Sequence, residues 1–160
     1  MKTMAFFTFF AILIDGCDIL KTKSNGNGGL TATFSISDTT GHASTVFHSG
    51  DHFMVSFSLA NTTNDTLTYG YTGTPIRFRI LQDGREIASS TDGVVFLQYV
   101  QGGFIAPGDT FAASWKAPNT QFQNPKVVLM PGTYQATVLF SQVAEARVAT
   151  VLPITFSVVQ

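Results

Sequence analysis

The chain of 160 residues is 44% hydrophobic and 12% charged, with 9 Lys and Arg against 10 Asp and Glu for a net charge of −1. This composition fits one packed domain and excludes disorder, and the balanced charge, with no basic stripe, excludes nucleic acid as a partner. One cysteine and three dispersed histidines exclude a disulfide framework and the usual Cys/His zinc clusters.

The first element follows Lys2: an apolar run from Met4 to Ile14 containing Phe6, Phe7, Phe9, Phe10, Ile12 and Leu13. About eleven residues are too few to span a hydrocarbon core of roughly 30 Å, but they suit the apolar stretch of a secretory signal. The run ends in Ile14-Asp15-Gly16-Cys17, which resembles the lipobox of bacterial lipoproteins. That resemblance implies cleavage after residue 16, a lipid on Cys17 and an exported protein attached through it to the membrane of the bacterial cell envelope. A soluble secreted protein is the alternative. Lys-Thr-Lys-Ser-Asn-Gly-Asn-Gly-Gly at 21–29 is polar and glycine-rich, the composition of a flexible tether. The expected organisation is a signal peptide over 1–16, a tether over 17–29 and a folded domain over 30–160.

From Leu30 onward the apolar residues recur with period two, the mark of half-buried strands. Leu30, Ala32, Phe34 and Ile36 form the first set, and Phe53, Val55, Phe57 and Leu59 the second. Ile76, Phe78 and Ile80 alternate with Arg77 and Arg79 up to Asp83-Gly84, a hairpin signal, after which Arg85 to Ala88 returns. Phe111, Ala113 and Trp115 follow, then Tyr134, Ala136, Val138 and Phe140, and finally Ile154, Phe156 and Val158. Turn-forming clusters at 49–51, 61–65, 106–109 and 130–132 separate these runs. Seven to eight short strands without a candidate helix beyond the signal predict an all-β, antiparallel immunoglobulin-like sandwich with Greek-key connections. Pro131-Gly132-Thr133-Tyr134 places a tyrosine where a tyrosine corner would sit, and Trp115, in phase with Phe111 and Ala113, is expected in the core.

The residues between Leu59 and Phe140 also resemble a known family. Leu59-Ala60-Asn61-Thr62-Thr63 closes the second strand, and Ile76-Arg77-Phe78-Arg79-Ile80 leads into Asp83-Gly84-Arg85-Glu86-Ile87. Phe96-Leu97-Gln98, Ile105-Ala106-Pro107-Gly108-Asp109-Thr110, Trp115 and Pro131-Gly132-Thr133-Tyr134 continue the series. In this order and spacing they resemble the BsuPI domain, named for an intracellular proteinase inhibitor of bacilli. The resemblance implies an immunoglobulin-like sandwich and proteinase inhibition.

Reactive side chains are densest at His48-Ser49-Gly50-Asp51-His52. His48, Asp51 and His52 could offer two imidazoles and a carboxylate to a metal, but the sequence reads more simply as a solvated turn, and no metal site or cofactor is assigned. No pair of carboxylates and no dispersed triad suggests catalysis, so a non-enzymatic protein is expected. The expected function is an envelope-anchored binding module, inhibitor-like, with a protein or glycan partner and a proteinase as the family-implied target. The alternative is a structural or assembly subunit of the envelope acting through strand edges. No binding residue is assigned: the loops around Tyr69 to Thr74 and Gln98 to Phe104 are long enough to contribute to a proteinase contact, and Phe122, Val127, Val128 and Leu129 lie near the long 117–131 connection, where exposed apolar groups could serve recognition.

Overall fold

The computed structural model describes residues 21–25, 29–140 and 151–160, with side chains described from Gly29 onward. Among these residues the chain forms eleven strands and no helix: β1 (Lys21–Asn25), β2 (Leu30–Asp38), β3 (Val46–His48), β4 (Phe53–Asn61), β5 (Leu67–Thr72), β6 (Ile76–Gln82), β7 (Arg85–Ser89), β8 (Val100–Ile105), β9 (Thr110–Ala117), β10 (Gly132–Phe140) and β11 (Ile154–Val159). One sheet runs β1-β2-β4-β9 and the other β3-β11-β10-β6-β7, while β5 and β8 form a separate two-stranded ribbon.

The seven strands expected from period-two runs all form, and their alternation decides which side chains face inward. Phe34, Val55 and Leu59 of the first sheet are buried, as are Phe78, Ile80, Ala136 and Phe156 of the second. Rings join the layers: Phe34 lies 6.5 Å from Phe78, Phe53 lies 5.0 Å from Phe156, and Phe57 lies 5.6 Å from Phe140, centroid to centroid. Burying each such side chain stabilises the fold by about 1.5–3 kcal/mol. This is an antiparallel β-sandwich with one parallel pairing, β3 beside β11, where Val46 stands opposite Ser157.

Two finer expectations also hold. Tyr134 is buried and its hydroxyl donates to the Met130 carbonyl at 2.8 Å, the hydrogen bond of a tyrosine corner. Trp115 is buried in the core, and its indole Nε1–H donates to the Asn119 carbonyl at 3.2 Å.

Elsewhere the structure departs from the sequence reading. Residues 21–25, expected within a tether, pair with β2 from Lys21↔Ser35 to Asn25↔Thr31. Without β1 the outer edge of β2 would carry unpaired backbone groups, and Lys-Thr-Lys-Ser-Asn contains neither glycine nor proline to oppose pairing. The stretches expected as loops around Tyr69 to Thr74 and Gln98 to Phe104 fall largely in the strands β5 and β8, with Thr68 opposite Phe104 and Thr72 opposite Val100. What holds this ribbon is its inner face, where Tyr69 packs on Phe111 at 5.8 Å and Phe140 at 5.6 Å. A Cβ on Gly103 would collide with the Tyr69 ring, so the glycine lets the two strands and the aromatic lie flat on one another. Burial, and secondarily the neighbouring Tyr71, push the Tyr69 hydroxyl above the ordinary tyrosine pKa.

Candidate functional site

The cluster singled out at 48–52 is a turn. The Asp51 carboxylate accepts from the His48 backbone N–H at 2.9 Å, the Asp51 N–H donates to the His48 carbonyl at 3.0 Å, and His48 Nδ1 stands 3.5 Å from Asp51 Oδ2. His52 faces another way, with Nδ1 3.3 Å from the Ala117 carbonyl. Asp51 is thus spent on closing its own turn, and no group of three His, Cys, Asp or Glu side chains able to hold a metal forms among the described residues. Cys17 and the Met4–Ile14 run lie outside the described residues.

Arg77 and Arg79 on the β6–β7 hairpin have side-chain partners. Arg77 donates through Nε to Ser89 Oγ at 2.9 Å and pairs with Glu86, and Arg79 Nε lies 3.3 Å from Thr137 Oγ1.

The 117–131 connection is tied down by its own polar side chains. Asn119 receives the Val127 N–H at 2.6 Å and donates to the Val127 carbonyl at 2.8 Å, and Ser49 Oγ donates to the Leu129 carbonyl at 2.9 Å. Between this connection and the 50–52 turn lies a cavity of about 510 Å³ whose lining includes His52, Lys116, Asn119, Thr120, Lys126 and Val128. Leu129 points into the core, whereas Phe122, Val128 and Met130 are exposed.

A second surface, missed as a unit in the sequence, is the segment joining β7 to β8. Its first part is a hydrogen-bonded knot. Ser89, fully buried, receives Arg77 Nε, shares a 2.9 Å bond with Thr91 Oγ1 and is the acceptor for the Thr91 N–H at 3.2 Å. The Asp92 carboxylate accepts the Ser89 N–H at 2.8 Å, and the Asp92 carbonyl accepts from Thr120 Oγ1 at 2.6 Å. Gly93 follows at φ 71°, its α-carbon against the 117–131 connection: a Cβ there would stand 2.7 Å from the Phe122 carbonyl oxygen.

Beyond this knot the chain leaves regular structure over Val94–Gln98, and Val95 and Leu97 are 95% and 70% exposed. Phe96, between them, packs back toward Gly73. The segment joins the ribbon at Val100, 82% exposed, and Phe104 adds a further exposed apolar side chain on the ribbon's outer face. Between Asp92 and Asp109 no side chain is charged. That gap in charge was the available signal; in the sequence it reads as an ordinary core strand, because Val95-Phe96-Leu97 has strand-like composition and nothing marks it as outward-facing.

Comparison with known proteins supplies the context. The family model described as BsuPI, intracellular proteinase inhibitor, matches residues 41–145. No curated protein sequence matches the chain. Among solved structures, β-glucosidase from Listeria innocua in complex with glucose is similar at a TM-score of 0.41 and 12% identity, over 81% of this chain and 16% of that one. A second structure of β-glucosidase from Listeria innocua gives 0.41 and 12% over 79% and 16%, and the β-glucosidase EmGH1 from Erythrobacter marinus gives 0.40 and 12% over 80% and 16%. The chain thus spans 16% of the length of these structures.

The family description corrects one expectation. It names an intracellular inhibitor, which overturns the envelope or secreted location read from the Met4–Ile14 run and Cys17. That reading rested on a short apolar stretch ending in a sequence that puts the Asp15 carboxylate beside the proposed cleavage point, where small uncharged residues are usual. With two-thirds of its length inside the family match, from residue 41 to residue 145, the chain belongs to the BsuPI family of intracellular proteinase inhibitors.

Proposed function

We propose that this domain acts by binding and inhibiting a proteinase, without a reaction of its own. The observation that carries the reading is the family match across residues 41–145. The surface is compatible with it: an inhibitor must cover about 800 Å² of its target and offer side chains already held in place, since ordering a loop on binding costs affinity. The hydrogen-bonded knot at 89–92 bears on the second requirement, and the exposed Val95 and Leu97 beyond it supply part of the first.

The test is titration of the full chain against a panel of purified proteinases, including subtilisin-like and trypsin-like serine enzymes. Stoichiometric loss of activity toward at least one of them, with the domain recovered intact, is the expected result. Full proteinase activity across the panel at micromolar domain would overturn the reading.

A further inference from the structure

We infer that Val94–Gln98 is the segment that enters the proteinase cleft, and that the target is an endoproteinase whose primary specificity pocket is apolar, with Leu97 as its occupant. The inference rests on the inhibitory reading above and names its contact surface and its target class.

Four observations converge on this segment. Val95 and Leu97 project into solvent at 95% and 70% exposure, a cost in water that contact with an apolar pocket would remove. Among the described residues no hydrogen bond occupies the backbone of residues 95–98, whereas the neighbouring Val94 N–H is bonded to Thr91 O at 3.1 Å. A free run of N–H and C=O groups can pair with a proteinase as an added strand, the way extended peptides are held along sheet edges.

The segment is also braced on both sides. The Ser89–Asp92 knot and the Asp92–Thr120 bond fix its start, and Phe96 against Gly73 with the Val100–Thr72 pairing fixes its end. Little ordering remains to be done on binding. Finally, the absence of charge from Gly93 to Gly108 leaves no cation to enter an acidic pocket, and charge depletion is what the centre of a protein interface shows. Leu97 is the longer of the two protruding side chains and is not β-branched, so it reaches further into a pocket than Val95. Val100 and Phe104, on the adjoining ribbon face, extend the contact.

The 117–131 connection is the competing surface. Its backbone is already engaged by Asn119, Lys126 lies within it and Lys116 immediately precedes it.

The experiment uses the full chain and a subtilisin-like proteinase. The double variant V95D/L97D, at two exposed positions, should fold with an unchanged Tm and weaken inhibition roughly 100-fold, whereas F122S should leave it within about threefold. L97K should shift inhibition toward a trypsin-like enzyme. Hydrogen exchange of the complex gives an independent reading: protection should appear over 94–98. Inhibition retained by V95D/L97D, or protection over 117–131 in place of 94–98, overturns this assignment while leaving the inhibitory reading intact. An unmodified chain that inhibits only trypsin-like enzymes overturns the apolar target class. One that inhibits nothing removes the inhibitory reading itself, and this inference with it.

Discussion

The side-chain amide of Asn61 donates a 2.9 Å hydrogen bond to the carbonyl of Ile105, joining the end of β4 to the end of β8 across 44 residues. The same NH₂ group donates to Asp65 O at 2.8 Å, and Oδ1 accepts from Thr63 N and Thr63 Oγ1 at 3.0 and 2.7 Å. With its side chain buried and every polar atom used, Asn61 fixes the base of the ribbon to the first sheet.

Asn61→Ala should therefore destabilise the domain by about 1–3 kcal/mol, because the buried Ile105 carbonyl loses its donor and the part-buried Asp65 carbonyl and Thr63 N–H each lose a partner. Asn61→Asp should cost a similar amount, since a carboxylate cannot donate to Ile105 or Asp65. Urea unfolding of the three proteins checks both; a loss under 0.5 kcal/mol, on the order of ordinary surface substitutions, would contradict the assignment.

Gly93→Ala should separate the β7–β8 segment from the 117–131 connection. The positive φ alone costs a residue with a Cβ about 1–2 kcal/mol, and the added carbon would meet the Phe122 carbonyl at 2.7 Å. The expected outcome is a lower Tm together with faster proteolytic nicking of the variant between Val94 and Gln98. An unchanged cleavage pattern would show that this contact does not brace the segment.

Acid sensitivity should include a contribution from Asp38. The Thr40 hydroxyl donating at 2.7 Å, then the His42 and Thr40 backbone N–H groups, hold the Asp38 carboxyl below its ordinary value of 3.8. A carboxyl depressed in the folded state stabilises above the unfolded value and loses that contribution as pH falls through the folded one. Asp38→Asn should therefore flatten the fall in Tm below about pH 4, with little change in the slope at neutral pH. Tm against pH for the two proteins is the measurement, and parallel curves through the acid range would refute the role.

The boundary of the folded unit can be tested by truncation. Residues 30–160 should fold cooperatively, because that segment carries the buried core, from Leu30, Ala32, Phe34 and Ile36 in β2 to Phe156 and Val158 in β11. The β1 ladder along Lys21–Asn25 should nonetheless add stability, so a chain starting at 21 should melt a few degrees higher than one starting at 30. Identical melting would show that β1 adds nothing to the sheet.

What could be read in the sequence was what a regular period reports. β2 and β4 display their inward residues in strict alternation, and Pro131-Gly132-Thr133-Tyr134 announced both a turn and the ring behind it. β3 is three residues long, too short for alternation to register. β5 and β8 leave little trace in the sequence, since Gly70, Gly102 and Gly103 lower strand propensity and what holds the ribbon together is the tertiary contact of Tyr69 with Phe111 and Phe140. Val95 and Leu97 were hidden for the opposite reason: local pattern predicts burial for such residues, and only the surrounding structure shows that they face out.

The parallel pairing of β3 with β11 also governs when this protein can finish folding. Val46 finds its partner at Ser157, and the Phe47 and Phe53 rings close on Phe156 at 5.8 and 5.0 Å. On the ribosome the early strands emerge while that partner has yet to be translated, and closing so long a loop is slow. Until then the nascent chain presents Phe47 and Phe53, two rings stacked at 4.6 Å in the finished molecule, as a sticky surface. Synthesis interrupted before Ile154 would leave those rings uncovered, so a product halted there is a target for chaperone capture or degradation.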